Sequence, residues 1–516
     1  MKITLSFLIL LFSVSLRAQP GISWQQCIGG TDGDEGGFVA ATHDQGFIVA
    51  GLAASLDGNI VNNHGESDAY LIRYDANNNI LWQKCYGGSL EDDFICVLET
   101  ADHGFIAVGS ADSNDGDVTG NHGDSDFWIV KVDSAGNILW QKAYGGTDYD
   151  QAFCIIENSA GHYIVSGLTF SNDGNVTLNH GDEDCWLIEI DAMGNMIWQK
   201  TYGGTDSDKA YQVMQTQDGG YIFSGFTYSD DGDVSLNHGE EDAWLVKTDA
   251  SGNLQWQKTY GGSEPDLLTN VIQIANGHYV FASSAASYDG DVQNSIVGPD
   301  FWLVEVDGNG NIFNQHCLGG SDIDEPFRMI QTADGGYAVV GQTASNDVNV
   351  SGNHGYFDGW LLKLDANLNM QWQHCLGGTD EDLAYSVCQL SNDDYVVTGF
   401  AYSLDGEVTG NHGGGFQDIW TVRFSASAGV EDFENTVNFM MYPNPANSVI
   451  TVQLPDAPVG GVPGILRITD GMGKVCLVKQ VLTAKQTVDI ENLSAGVYMV
   501  ELIRGEKAFR KILMKD

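Results

Sequence analysis

The sequence is poor in basic residues. It carries 22 lysines and arginines against 70 aspartates and glutamates, which gives a formal net charge of −48 at pH 7. Such an acidic surface repels phosphate backbones and anionic lipid head groups, so nucleic-acid binding is excluded as a main activity. Prolines number only 9, and the 64 glycines follow no three-residue period, which excludes collagen-like and low-complexity structure. Because the hydrophobic share of 43% is ordinary for a folded protein, the acidity does not indicate disorder.

Long hydrophobic runs are also missing, apart from one at the start of the chain. Residues 3–16 are mostly apolar, follow a short basic start and are followed by Ala18. The run is shorter than the roughly 20 residues that span a bilayer, and it predicts a secretory signal peptide over residues 1–18. No later run approaches transmembrane length, so we expect an exported chain without a transmembrane segment.

Cysteine pairs of the CxxC type do not occur, and the number of cysteines, nine, is odd. Four of them occupy one repeated position, at which other repeats carry Ala143, Thr201 or Thr259. The four are Cys27, Cys85, Cys317 and Cys375. Exchange with small residues indicates packed thiols rather than a disulfide framework, although a bridge such as Cys85–Cys96 stays open.

What the sequence does contain is a repeat. A Gly-Gly pair followed by serine or threonine recurs every 58 residues. It begins at Gly29, Gly87, Gly145, Gly203, Gly261, Gly319 and Gly377. A tryptophan and an Asn-His-Gly triplet keep the same phase, with exceptions at Asn314 and Ile296. Seven units therefore cover residues 19–424.

Each unit has the pattern of four short strands. In the third unit these are residues 152–158, 162–170, 185–191 and 196–204, all rich in β-branched and aromatic residues and separated by glycine, asparagine and aspartate. The longest connection, residues 171–184, lacks apolar periodicity and is expected to be a surface loop. Seven units of four antiparallel strands predict an all-β fold, a seven-bladed β-propeller.

The ends of the repeat region indicate how the ring closes. The first unit opens with a lone fourth-strand segment, residues 24–28, and the last unit stops after its third-strand segment, residues 419–424. We therefore expect the N-terminal strand to complete the last blade, which pairs an edge that would otherwise stay open. An open solenoid would instead need polar capping units, and the sequence shows none.

Composition changes after Phe424. Residues 425–439 lack strand periodicity and are predicted to be a linker. Residues 440–516 hold five of the nine prolines and alternate apolar and polar residues in several short runs, which predicts a small β-sandwich.

Three motifs in this last segment carry a resemblance. They are Tyr442-Pro443-Asn444-Pro445, Leu493-Ser494-Ala495-Gly496-Val497-Tyr498 and Lys511-Ile512-Leu513-Met514-Lys515. The segment resembles the type A C-terminal sorting domain of the type IX secretion system, an immunoglobulin-like sandwich of exported Bacteroidetes proteins. The resemblance implies the type IX machinery as a partner, passage through the outer membrane, removal of the tail, and release or anchoring at the cell surface. The alternative is an adhesive immunoglobulin-like module. The repeats more loosely resemble secreted bacterial seven-bladed propellers, which implies no activity.

The long loops of the repeat are candidate calcium sites. Calcium takes six to eight oxygen ligands, and clustered aspartate and asparagine side chains on a glycine-containing loop can supply them. The candidate ligands in two of the loops are Asp115, Asp117, Asn121, Asp126, Asp231, Asp233, Asn237 and Asp242. Their spacing departs from the EF-hand series, and the alternative is that these side chains accept backbone N–H bonds and hold turns.

The repeated histidines and tryptophans have structural interpretations. Each Asn-His-Gly histidine lies in its own blade, so equivalent histidines cannot converge on one ion, and we expect each to hydrogen bond a neighbouring blade. Trp128 and its equivalents are expected to pack between blades, the alternative being an exposed face that stacks on sugars.

No catalytic motif accompanies this pattern. The few departures from the repeat are residues 295–299, which replace the histidine turn, Val348 in place of a turn glycine, and a longer loop at residues 413–415. We therefore expect a non-catalytic protein, secreted or at the cell surface, that binds a protein or a glycan through its loop-bearing face. The alternatives are a polysaccharide hydrolase or lyase with its site at the axial mouth, near the fifth unit, and a purely structural spacer.

Overall fold

The computed structural model describes residues 20–413, 415–425, 440–442, 445–453, 464–470, 475–481, 485–494, 496–504 and 507–515. These residues form 35 β-strands and no helix, so none of them forms an apolar helix long enough to cross a membrane. The chain divides into two units between Gly429 and Val430. The predicted signal peptide and nearly all of the predicted linker lie outside the described residues.

The N-terminal unit contains seven four-stranded antiparallel sheets, and six of them take four consecutive strands each. Sheet 1 contains β2 (Asp34–Ala41), β3 (Phe47–Ala53), β4 (Asp68–Tyr74) and β5 (Ile80–Tyr86). Sheet 2 contains β6 (Cys96–Glu99), β7 (Phe105–Ala111), β8 (Asp126–Val132) and β9 (Ile138–Tyr144). Sheet 3 contains β10 (Asp150–Glu157), β11 (Tyr163–Thr169), β12 (Asp184–Ile190) and β13 (Met196–Tyr202). Sheet 4 contains β14 (Asp208–Gln215), β15 (Tyr221–Thr227), β16 (Asp242–Thr248) and β17 (Leu254–Tyr260). Sheet 5 contains β18 (Asp266–Gln273), β19 (Tyr279–Ala285), β20 (Asp300–Val306) and β21 (Ile312–Leu318). Sheet 6 contains β22 (Asp324–Gln331), β23 (Tyr337–Thr343), β24 (Asp358–Leu364) and β25 (Met370–Leu376).

Sheet 7 joins the two ends of the unit. It contains β26 (Asp382–Gln389), β27 (Tyr395–Ala401), β28 (Asp418–Ser425) and, as its fourth strand, β1 (Gly21–Ile28). Strand β1 runs antiparallel to β28, with Gly21 opposite Ser425 and Ile28 opposite Ile419. The first strand of the chain therefore extends the sheet formed by the last three.

The sheets meet at their first strands. Each first strand contacts the first strand of the next sheet in sequence, and β26 of sheet 7 contacts β2 of sheet 1. The third strands, such as β8 and β16, are buried along their whole length, whereas the fourth strands, such as β9, alternate between exposed and partly buried residues. The core therefore lies between neighbouring sheets, and the fourth strands face solvent.

The repeated tryptophans of the third strands pack in this core, as predicted. Five are fully buried, namely Trp128, Trp186, Trp244, Trp302 and Trp360. Each indole N–H donates to the glutamine 13 residues later on the fourth strand, at 2.8–3.0 Å. In sheet 7 the same bond runs from Trp420 Nε1 to Gln25 Oε1 on β1, at 2.9 Å. Strand β1 thus makes the side-chain bond that a fourth strand makes in the other sheets.

The turn glycines of the long loops lie in the left-handed region, for example Gly116 with φ of 60°. Val348 occupies the equivalent position with φ of 54° and is largely exposed. A β-branched residue is strained in this conformation, so the loop geometry is imposed by the repeat rather than by the local residue.

The described residues of the C-terminal unit form two antiparallel sheets. One has the order β29 (Met440–Tyr442), β30 (Val449–Gln453), β33 (Lys485–Asp489), and the other β32 (Val475–Val481), β31 (Gly464–Asp470), β34 (Gly496–Arg504), β35 (Lys507–Lys515). Ile450 and Val488 of the first sheet share one buried cluster with Leu466, Val500 and Leu513 of the second. The unit is therefore a sandwich, and the short strands predicted in this segment are present.

Candidate functional site

Aspartates of the long loops hydrogen bond to the segment that connects one sheet to the next. Asp115 Oδ1 accepts a hydrogen bond from the backbone N–H of Ser89, and Asp231 Oδ1 accepts one from Thr205, both at 2.8 Å. The same bond recurs in all seven loops, at 2.8–2.9 Å. The other acceptors are Asp57, Asp173, Asp289, Asp347 and Asp405. Each fastens its loop to the Gly-Gly-Ser/Thr segment, so the backbone-accepting role is confirmed, with the partner 26 residues away rather than in a local turn.

The loop asparagines also bond to the backbone. Asn121 Oδ1 accepts the N–H of Gly123 at 2.9 Å, and its Nδ2 donates to the carbonyl of Ala111 at 2.8 Å. Asn237 makes the corresponding bonds with Gly239 and Thr227. The backbone N–H groups of Asp117 and Asp233 donate to the carbonyls of Gly87 and Gly203, both at 2.9 Å.

The last members of the candidate set, Asp126 and Asp242, bind the loop histidines. Asp126 Oδ2 accepts the backbone N–H of His122 at 3.0 Å and lies 2.5 Å from its Nδ1. Asp242 holds His238 in the same way. The prediction that these histidines bond a neighbouring blade is wrong, because the aspartate that begins the third strand of the same sheet, four residues later in these loops, lies against the ring.

Calcium binding by these loops stays a prediction, and the hydrogen bonds above lead us to expect a small effect of chelation. Because backbone donors already engage the side chains of Asp115, Asn121 and Asp126 and their copies in the next loop but one, we expect EDTA to shift the unfolding temperature by less than about 1 °C. Differential scanning calorimetry with and without the chelator measures this. A larger fall that calcium reverses and magnesium does not would instead assign an ion to the loops.

A second feature is a pair of buried aspartates at every sheet junction. At Gly145, carboxylate oxygens of Asp126 and Asp150 both lie closer than 3.0 Å to the position that a Cβ atom would take, so only glycine fits. Both aspartates are fully buried. The pairs are Asp68–Asp92, Asp126–Asp150, Asp184–Asp208, Asp242–Asp266, Asp300–Asp324, Asp358–Asp382 and Asp418–Asp34. Each joins the third strand of one sheet to the start of the next sheet.

The second aspartate of each pair anchors the Gly-Gly segment. Asp150 Oδ2 accepts the N–H of Gly146 at 2.8 Å and the hydroxyl of Ser171 at 2.9 Å. Sequence reasoning did not single out this aspartate, although its signal was available: an acid follows the first glycine by five residues in all seven units.

Burial makes three of these carboxyls, those of Asp150, Asp300 and Asp358, hard to ionise. Desolvation raises the pKa of Asp150 to about 6, against the lowering effect of its hydrogen bonds. It raises the pKa of Asp358 to about 6 although His354 contacts this carboxyl, and that of Asp300 to about 7. The difference has a structural cause, because Ile296 stands where the other loops have histidine. Among the described residues, the one contact that lowers the pKa of Asp300 is the hydrogen bond from the backbone N–H of Ile296.

One position on the first strands carries six different residue types in the seven sheets. Its occupants are Phe38, Cys96, Cys154, Gln212, Asn270, Arg328 and Ser386. The interaction between the Cys96 and Cys154 thiols raises the pKa of Cys96 and lowers that of Cys154, and the positive charge of Arg328 in sheet 6 lowers the pKa of both. The Arg328 guanidinium also lies 4.4 Å from the ring centre of Phe38 in sheet 1. First strands of sheets 1, 2, 3 and 6 therefore converge here. The eight cysteines of residues 20–425 form no disulfide; Cys27, Cys85 and Cys375 are buried, as expected for packed thiols, and Cys317 is half-buried.

An unusual acid lies beside this position. Asp93 precedes the short strand β6, and its Oδ1 accepts the backbone N–H and the hydroxyl of Ser110, at 2.6 and 2.9 Å. Desolvation raises the pKa of Asp93 to about 6. The equivalent positions carry Glu35, Gln151, Lys209, Leu267, Glu325 and Leu383. Asp93 is thus an acid whose surroundings differ from those of its copies.

Two equivalent grooves open between neighbouring sheets. One, of about 390 Å³, is lined by the loop residues Leu236 and His238, by Lys258 of β17 and by Asp291 of the next loop. The second has the same volume and the equivalent residues Leu178, His180, Lys200 and Asp233. Both combine an exposed leucine with cationic, anionic and imidazole groups. The same arrangement is therefore presented twice, one repeat apart.

The fold and these sites define an all-β repeat protein whose C-terminal sandwich is a separate unit. Residues 440–515 match the family described as the secretion system C-terminal sorting domain. This segment is the type IX sorting domain that its motifs resemble, and it marks the chain as type IX secreted cargo.

Other likenesses are distant. The regulatory protein FlaEY of Caulobacter vibrioides is 24% identical over 364 residues, 61% of this chain and 36% of that protein, so the chain spans about a third of its length. Quinohemoprotein alcohol dehydrogenase from Comamonas testosteroni is 11% identical, with 83% and 79% of the two chains covered and a TM-score of 0.39. PorZ, a surface component of the type IX secretion system of Porphyromonas gingivalis, is 10% identical, with 96% and 75% covered and a TM-score of 0.21. These likenesses carry no inference about activity.

Proposed function

We propose that residues 19–424 form a closed seven-bladed β-propeller, in which each sheet is one blade. Three observations support this. The first strands contact one another in a complete circuit, β1 pairs with β28, and the Trp420–Gln25 bond repeats the bond within the other sheets. The signal peptide directs the chain out of the cytoplasm, and the immunoglobulin-like C-terminal domain directs it through the outer membrane. Removal of this domain then leaves the propeller released or anchored at the surface.

We propose that the propeller is a non-catalytic binding protein that acts outside the cell. The observation that carries this proposal is the pair of equivalent grooves on successive sheets. Two equivalent sites one repeat apart suit a ligand that is itself repetitive, because the second contact becomes intramolecular once the first has formed.

The chemistry of the grooves favours a neutral glycan over other ligands. Lysine, histidine and aspartate groups offer donors and acceptors for hydroxyls, and the exposed leucine offers contact for an apolar sugar face. A net charge of −48 repels anionic polysaccharides. The alternative ligand for a binding protein of this kind is a protein with a basic surface.

The test is a panel of neutral and anionic polysaccharides with the purified protein, read by isothermal titration calorimetry. For the neutral polysaccharide that binds, we expect Lys200→Ala or Lys258→Ala to weaken binding about threefold and the double variant more than about tenfold. Lys209→Ala, which removes a lysine from the first strand β14, is the matched control and is expected to bind normally. Absence of binding across the panel, or equal loss in the control, would contradict the glycan proposal.

A polysaccharide hydrolase or lyase is the second candidate, and Asp93 is the observation that favours it. A carboxyl with a raised pKa beside the first strands has the property of a general acid. The same panel, incubated and analysed for released oligosaccharides, tests this. Product formation that Asp93→Asn abolishes would support an enzyme, and intact polysaccharides would leave binding as the function.

A further inference from the structure

Three side chains with metal-binding chemistry meet at the hairpins of sheets 1 and 2. His43 lies in the turn between β2 and β3, Glu99 ends β6, and His103 lies in the turn between β6 and β7. One ligand atom from each lies within 4.8 Å of the others. Among the residues that the structure describes, this is the group of three or more histidine, cysteine or acidic side chains that meets this distance. None of the loop aspartates considered for calcium belongs to it.

The geometry is close to that of a coordination site. His103 Nδ1 lies 3.4 Å from Glu99 Oε1, which is the separation of two ligand atoms bound tetrahedrally at about 2.0–2.1 Å. His43 Nδ1 hydrogen bonds the same Glu99 oxygen. The two imidazole rings are stacked, with centroids 3.8 Å apart and an interplanar angle of 25°. Both Nδ1 atoms therefore already face one carboxylate oxygen.

The same three residues differ from the residue that is commonest at each repeat position. At the position of Glu99 four units have glutamine, namely Gln215, Gln273, Gln331 and Gln389, and one other unit has glutamate, Glu157. At the position of His103 four have glycine, namely Gly161, Gly219, Gly277 and Gly335. At the position of His43 three have alanine, namely Ala101, Ala275 and Ala333. Three independent changes that converge in space indicate a local requirement beyond the fold.

Two of these changes are not explained by structure alone. Glu99 Oε2 accepts the backbone N–H of His43 at 2.8 Å, and Gln389 makes the same bond to Ala333 elsewhere, so the extra negative charge is not needed for the turn. His103 has a φ of 61°, a conformation that favours the glycine found in four other units. The chain therefore holds a strained histidine where glycine would serve the fold better.

The surroundings leave the site open to solvent and to cations. The side chains of His43 and His103 are about half exposed, and that of Glu99 is largely buried. The cations near these hairpins are engaged by other acids: Arg73 with Asp44 at 2.6 Å, and Lys131 with Asp102 at 2.7 Å. The carboxylate of Glu99 thus faces the two imidazoles rather than a lysine or arginine.

We propose that His43, Glu99 and His103 bind one divalent transition-metal ion of the zinc, copper and nickel group, with water in the remaining position. Two imidazoles and one carboxylate suit these ions, whereas calcium and magnesium prefer oxygen ligands only. The bound ion links the first hairpins of sheets 1 and 2 at their solvent-exposed turns. The metal site is separate from the long loops and from the grooves. The proposal of a metal site therefore does not depend on whether the propeller binds glycans.

The experiment is a titration of the full mature chain, purified without a histidine tag, with Zn²⁺ by isothermal titration calorimetry. We expect one site in the micromolar range, weaker binding at lower pH because protons compete for the imidazoles, and no binding of Mg²⁺. Co²⁺ added to the same protein is expected to give the visible absorption of a tetrahedral ion. An octahedral Co²⁺ spectrum would contradict the proposed geometry.

Each test variant installs the residue that other units carry at that position, so the fold is expected to persist. His43→Ala, Glu99→Gln and His103→Gly are each expected to weaken Zn²⁺ binding at least about tenfold. His278→Gly is the matched control, since His278 contacts only one acid, Glu305, and four other units have glycine there. Circular dichroism of each variant confirms folding. Zn²⁺ binding that the three variants leave unchanged, or no binding by the parent protein, would overturn the assignment.

Discussion

Deletion of residues 20–28 is expected to abolish cooperative unfolding of the N-terminal unit, or to lower its free energy of unfolding by more than about 5 kcal/mol. The deletion removes β1 with its buried Ile28 and Cys27, and it exposes the edge of β28. It also leaves the indole N–H of Trp420 without its acceptor Gln25. Such a loss is comparable to the whole stability of a typical domain. Urea denaturation followed by tryptophan fluorescence measures it.

A matched pair of point variants separates ring closure from general damage. Gln25→Ala removes the acceptor for Trp420 in sheet 7, and Gln257→Ala removes the acceptor for Trp244 within sheet 4. Each is expected to cost about 1–2 kcal/mol, because a buried donor loses its partner. Equal losses identify β1 as a true fourth strand. A cost for Gln257→Ala with none for Gln25→Ala would mean that β1 does not occupy sheet 7 in solution.

Asp300→Asn is expected to stabilise the protein at pH 8 by about 1–3 kcal/mol and to have little effect at pH 4.5. The folded state holds the Asp300 proton more tightly than the unfolded chain, because its pKa is raised from 3.8 to about 7. The resulting stability is fully present below the unfolded pKa and is lost as pH rises through about 7. Asparagine has the shape of the protonated acid and removes this loss. Urea denaturation at both pH values provides the measurement.

Asp242→Asn in the preceding sheet is the control for this result. Asp242 Oδ2 accepts the backbone N–H of His238 and lies 2.6 Å from its Nδ1, so the replacement also disturbs these hydrogen bonds, and we expect less stabilisation or a net loss at pH 8. If Asp300→Asn destabilised the protein equally at both pH values, the buried pair would not be a source of electrostatic cost, and the explanation from the missing histidine would fail.

The repeat explains how much of the architecture was accessible from the sequence. Because the period is strictly 58 residues, a prediction of four strands in one unit applies to every unit. The incomplete first and last units together supply one further sheet. The burial of Trp128 and its equivalents followed from their place on the third strand, and the sorting domain followed from motifs near Tyr442, Tyr498 and Lys511. Local pattern was sufficient in these cases because the interactions repeat with the chain.

The candidate sites were less accessible, because they depend on contacts between sheets. Asp150 and Asp126 lie on different sheets, and no local pattern shows that their carboxylates meet at Gly145. His43 and His103 are 60 residues apart in the numbering and meet only because adjacent hairpins lie side by side. The loop histidines were assigned the wrong partner for the opposite reason: the nearby Asp126 was considered as a calcium ligand rather than as the partner of His122.

The closed ring is the central claim, and an engineered disulfide between its two ends tests it most directly. Gly21 of β1 and Ser425 of β28 are directly opposite each other, so Gly21→Cys/Ser425→Cys in a Cys476→Ser background places two thiols within bonding reach. We expect oxidation to join the first and last strands covalently, seen as a linked peptide pair by mass spectrometry, and to raise the unfolding temperature. Failure of the two cysteines to cross-link in the folded monomer, while each single variant folds normally, would contradict the account.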